Sequence, residues 1–162
     1  MKKLFLLIAI IGIGITTNAQ QVNDYLEVTR AALKTEKKAM IAEVMNLTTE
    51  ESEPFWAMYN EFQGKLYTAN TKYLKIINEF AESFENMSSE KANDLMKRLF
   101  AYDAEILKLK KIYHKKFQGI LSPQKTLMYF QAENKIDVLI DYEMAASIPI
   151  LDARDSKKEP KK

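Results

Sequence analysis

The chain has 162 residues, with 24 Lys or Arg against 22 Asp or Glu, one histidine and no cysteine. Near-neutral charge argues against a general nucleic-acid binder, whose domain carries a basic excess. The missing thiols exclude disulfides, and one histidine is too little for a zinc or nickel set built from nitrogen and sulfur.

Met1-Lys2-Lys3 is a short basic start, and Leu4 to Ile15 is an apolar run broken by Gly12 and Gly14. Thr16 to Gln20 then supplies small or polar residues with a cut expected after Ala19, the three-part layout of a secretory signal peptide. A dozen apolar residues are too few to span a bilayer comfortably, and a lipid-anchored export signal needs a cysteine. The expected layout is a signal peptide at 1–19, a helical domain at 20–147, and an apolar clip with a disordered charged tail at 148–162. The basic start and the Asn18-Ala19-Gln20 cut point to a bacterial periplasm. Removing Lys2 and Lys3 leaves 22 basic and 22 acidic side chains, so the exported protein is formally neutral.

A first helix is expected from Gln21, with Asp24-Tyr25-Leu26-Glu27 as a capping box. Leu33, Met40, Ile41, Val44 and Met45 form its apolar face, and it should end near Asn46. The second helix opens at Leu47-Thr48-Thr49-Glu50-Glu51, where Thr48 caps and Glu51 completes the box. Phe55, Tyr59, Phe62, Leu66, Ala69, Tyr73, Ile76 and Phe80 follow in alternating steps of four and three, one stripe of an α-helix. A helix from Thr49 to Phe84 would be roughly 50 Å long. Pro54 removes a helical donor and is expected to kink the helix. Gly64 costs about 1 kcal/mol against alanine, which a close helix crossing would justify.

The pattern breaks from Glu85 to Ser89, where Met87-Ser88-Ser89-Glu90-Lys91 supplies another cap. The third helix carries Leu95, Leu99, Tyr102, Ile106, Leu109, Tyr113, Phe117 and Ile120 inward. Leu121-Ser122-Pro123 is a sharp boundary, a serine cap with proline at the first helical position. The fourth helix is expected to run to about Ala146 with Leu127, Phe130, Ile136, Leu139 and Ile140 inward. Ile148-Pro149-Ile150-Leu151 is expected to fold back onto the bundle. The fold class is therefore all-α: four helices in an elongated antiparallel hairpin or bundle with one very long central helix.

No catalytic motif emerges. There is no Gly-rich phosphate loop and no Gly-x-Ser-x-Gly elbow. Glu133 and Asp137 share a face of the fourth helix and could act as acid and base if buried together, though such pairs are usually solvated. His114 sits among Lys110, Lys111, Lys115 and Lys116, with no Glu three residues before it, so no di-iron pattern exists. No metal, cofactor or enzymatic activity is expected. The aromatic cluster of Phe55, Trp56, Met58, Tyr59 and Phe62 is the most functional-looking patch. Its stripe members also fit a core or a dimer seam, while Trp56 lies about 100° off the stripe. Lys108, Lys111 and Lys115 form a basic stripe that could steer acidic partners.

Three helix starts repeat one motif: Leu47-Thr48-Thr49-Glu50-Glu51, Met87-Ser88-Ser89-Glu90-Lys91 and Leu121-Ser122-Pro123-Gln124-Lys125. In this the chain resembles the Spy/CpxP-like family of periplasmic helical proteins, which carry Leu-Thr-x-x-Gln motifs. It departs in having Glu51 where the family prefers Gln, Ser122 for Thr and Lys125 for Gln. The run Tyr129 to Ile136 resembles a branch found in Bacteroidetes-type bacteria. The resemblance implies an antiparallel homodimer and a curved cradle. It implies either ATP-independent binding of partly unfolded envelope proteins or damping of an envelope-stress sensor by docking one membrane partner. Partners would then be unfolded or envelope proteins, with no nucleic acid and no membrane contact except through a protein.

Overall fold

The computed structural model describes residues 35–147 and 150–151. The expected signal peptide, the Asp24–Glu27 capping box, Leu33 and the tail beyond residue 151 lie outside the described residues. The protein is all-α, with four helices and no strand among the described residues. They are α1 (35–45), α2 (Thr49–Ser83), α3 (Ser89–Gln118) and α4 (Pro123–Ser147).

Each boundary has a local chemical cause. α1 stops where Asn46 adopts φ 40°, a left-handed conformation that Asn tolerates better than most side chains. At the start of α2, Thr48 Oγ1 accepts the Glu51 N–H at 3.3 Å and the Thr48 N–H donates to Glu51 Oε2 at 2.9 Å. Ser88 Oγ accepts from the Lys91 N–H at 3.1 Å, and Ser122 Oγ accepts from the Lys125 N–H at 3.2 Å. All three repeated motifs are thus helix caps, and Pro123 is the first residue of α4. A single 3₁₀ turn, Phe84–Asn86, joins α2 to the cap of α3.

α2 has 35 residues and runs unbroken through Pro54, so its length is about 52 Å. The donor that Pro54 lacks leaves the Glu50 carbonyl without its usual helical partner. Both residues are exposed, so the missing bond is not buried away from solvent and costs little. Gly64 does not mark a helix crossing: it is exposed, and a Cβ there would meet nothing within 4 Å.

α2 and α3 pack antiparallel. Going up α2, Glu61 meets Tyr113 and Lys116, Asn70 meets Tyr102, and Glu79 meets Arg98 and Lys91. The expected stripes of both helices face this contact. At one end α1 and α4 close over the pair, and Ile41, Met45, Phe55, Tyr59, Phe62, Leu66, Tyr113, Phe117, Leu121, Tyr129 and Ile136 form one buried cluster. Its aromatic rings interlock: Phe62 stacks on Tyr113 with centroids 4.5 Å apart, and Phe117 lies 4.5 Å from Tyr129. Towards the tip, ion pairs replace apolar depth. Arg98 grips Glu79 through two nitrogens at 2.7 and 2.9 Å, and Lys72 reaches Glu105 at 2.7 Å.

α4 corrects the expected inward set. Phe130, Ile136 and Ile140 do pack against the core, but Leu127 is 70% exposed and Leu139 also faces solvent. The inward positions are Thr126, Tyr129, Glu133 and Ile136, two of them polar. Val44 likewise points out from α1. Ile150 is 91% exposed, so the fold-back expected of the apolar clip does not cover it.

Candidate binding surface

The aromatic patch that the sequence singles out is not a surface. Phe55, Tyr59 and Phe62 are fully buried, locked by Phe117, Tyr129 and Tyr113 from the other helices. Met58 is half-buried against the same core. Trp56 is half-buried too, not exposed. Its ring meets Phe55 and Tyr59 edge-on, and the Lys38 ammonium of α1 sits 5.1 Å from its centroid. Of the motif residues, Leu121 is buried and Leu47 packs against the core, so the motifs hold the helix ends to the bundle. Lys125 strengthens this, donating to Glu51 and, at 3.2 Å, to the Asn46 carbonyl.

Glu133 is where burial was least expected. It is 1% exposed, with Lys37 Nζ at 2.5 Å and Gln63 Nε2 at 2.8 Å from Oε1. Lys37 also reaches Asp137 Oδ1 at 2.9 Å, and Lys110 reaches Asp137 Oδ2 at 3.4 Å. Burial works against the Lys37 ammonium, but Glu133 and Asp137 outweigh it and hold its pKa above the ordinary 10.5. Burial, then the Glu133 charge, pushes the Tyr59 and Tyr129 hydroxyls up out of the usual tyrosine range. The cluster ties α1, α2, α3 and α4 together. Glu133 and Asp137 are joined through one lysine, in a tie rather than in an open acid–base pair.

Three exposed apolar residues of α3 make a different face. Met96, Phe100 and Leu107 are 47%, 63% and 54% exposed. Each follows a core-facing residue (Leu95, Leu99, Ile106) by one position, about 100° round the helix, so the three share one stripe, with exposed Asp103 between Phe100 and Leu107. Lys108, Lys111 and Lys115 flank its lower end, all exposed and all without an ion pair among the described residues. Lys110, Lys111, His114, Lys115 and Phe130 line an open cleft there, with the His114 ring against Phe130 at 5.7 Å. The lysine stripe read from sequence is therefore brought beside an apolar track, and the aromatic cluster is not. Sequence reasoning missed Met96, Phe100 and Leu107, although their steps of four and seven are a second helical period beside the core stripe.

No protein-family model, curated protein or solved structure matches the chain. Among the described residues no three His, Asp or Glu side chains gather as a metal set, and no helix is long and apolar enough to cross a membrane. Chemically, a solvated apolar stripe with unpaired ammonium groups can hold an extended or loosely folded segment. The apolar part gains from area removed from water, and the charges speed and orient encounter.

Proposed function

We propose that the protein is an exported, ATP-independent holdase of the periplasm that binds partly unfolded envelope polypeptides along α3. Lys108, Lys111 and Lys115 attract acidic segments, and Met96, Phe100 and Leu107 hold their apolar residues. The observation that supports this best is Phe100, a large ring 63% exposed on α3, one position round the helix from the residues that pack against α2. Monomeric soluble surfaces seldom leave several large apolar residues in line without a partner. Shallow, open contact of this kind suits varied clients better than one shaped ligand.

The test is light scattering from an unrelated, chemically unfolded protein diluted into buffer with near-equimolar amounts of this one. Aggregation should be suppressed, and added salt should weaken the effect by screening the lysines. Absence of suppression at every ratio rejects the reading.

A further inference from the structure

We infer that α1 is a releasable cover, and that the groove beneath it is a docking site for a helix carrying an arginine and two apolar anchors. Lys37, Ile41 and Met45 follow in steps of four, so they share one side of α1. Ile41 and Met45 are fully buried in the core cluster with Phe55, Tyr59, Tyr129 and Ile136. One turn before Ile41, the Lys37 ammonium reaches Glu133 and Asp137. At the other end the Asn46 carbonyl accepts from Lys125 Nζ at 3.2 Å, so α1 runs antiparallel to α4. α1 therefore sits as an amphipathic helix sits in a partner's groove, with a cation and apolar anchors placed turn by turn.

The fit of α1 is incomplete, and what it leaves unpaired selects the occupant. Glu133 Oε1 takes both Lys37 and Gln63, while Glu133 Oε2 and the Tyr59 hydroxyl are buried without a hydrogen-bond partner. An ammonium is a point charge, whereas the forked guanidinium of arginine bonds both oxygens of one carboxylate. With α1 lifted, the floor presents two carboxylates, Glu133 and Asp137, to one lysine, Lys110, and so still favours a cation. Release is local. α2 and α3 pair through Glu61 and Lys116, Asn70 and Tyr102, and Glu79 and Arg98, none of them on α1. Opening α1 leaves that hairpin whole and returns the two unpartnered atoms to water, so it costs less than global unfolding. The groove takes a cation where the α3 track takes acidic segments, so the inference does not rest on the holdase reading.

Amide hydrogen exchange on the full chain tests release: the amides of Ile41 to Met45 should exchange at least ~10-fold faster than those of Tyr59 and Phe62 in α2. A fluorescein-labelled peptide of residues 35–46 carrying Lys37→Arg then tests the groove by fluorescence anisotropy. It should bind the full chain at least ~10-fold tighter than the same peptide carrying Lys37→Glu. Taking the place of α1, it should also speed exchange of the α1 amides further. Binding should persist in the Phe100→Ser protein, which separates this site from the α3 track. The inference is overturned by α1 amides that exchange only together with those of α2, by an Arg peptide that binds no better than the Glu peptide, or by binding that is lost in Phe100→Ser.

Discussion

Lys37 of α1 and Glu133 of α4 meet at 2.5 Å in the interior of the bundle, 11% and 1% exposed. Breaking a buried pair from one side strands the other charge, which costs about 3–5 kcal/mol. Lys37→Met should therefore destabilise strongly, and adding Glu133→Leu should recover most of the loss. Urea unfolding of the two variants checks this. Equal stability of wild type and the single variant would show that α1 is not held by the pair.

Gly64 gives the opposite expectation. It lies mid-helix with open space where a Cβ would go. Gly64→Ala should stabilise by about 1 kcal/mol through backbone entropy. A rise in the thermal midpoint is the measurement, and a fall would mean that a partner packs on that spot.

How much of this was legible in the chain differs by helix. On α2 and α3 nearly every inward position is apolar, so hydrophobic period alone phases them correctly, and hydroxyl caps mark their starts. α4 misleads because Thr126 and Glu133 take inward positions while Leu127 takes an outward one. Glu133 goes inward because Lys37 and Gln63 wait there, partners far away in sequence that no local pattern announces. The same limit hid the fate of Phe55, Tyr59 and Phe62. Their place on the helical stripe favours a core or seam, but whether such a cluster also offers a surface is decided only when the elements that close over it are placed.

Hydrogen bonds from Arg98 and then Lys91 hold the Glu79 carboxyl down to about 2, below its ordinary 4.5. Its folded pKa is depressed, so its contribution is complete above about pH 4.5 and is lost as pH falls towards 2. Glu61, bonded by Tyr113 and Lys116, and Glu51, bonded by Lys125, shift the same way. Helicity followed against denaturant should show stability falling over that window, with Glu79→Gln removing part of the slope. Lys37 has the reverse sign: its raised pKa gives stability that is lost only at strongly alkaline pH.

Lys38 covers Trp56 from α1. Lys38→Ala should make the indole more open to a small polar quencher, with secondary structure unchanged. Identical quenching in both proteins would mean that the lysine does not shield the ring.

The central claim is that α3 carries the binding face, and one variant tests it most directly. Phe100→Ser combined with Leu107→Ser removes the two most exposed apolar residues of the track while leaving Leu99, Ile106 and the core stripe in place. With helicity and thermal midpoint retained, the variant should lose most of the suppression of client aggregation at a ratio where wild type is fully active. Undiminished suppression by that folded variant would contradict the account.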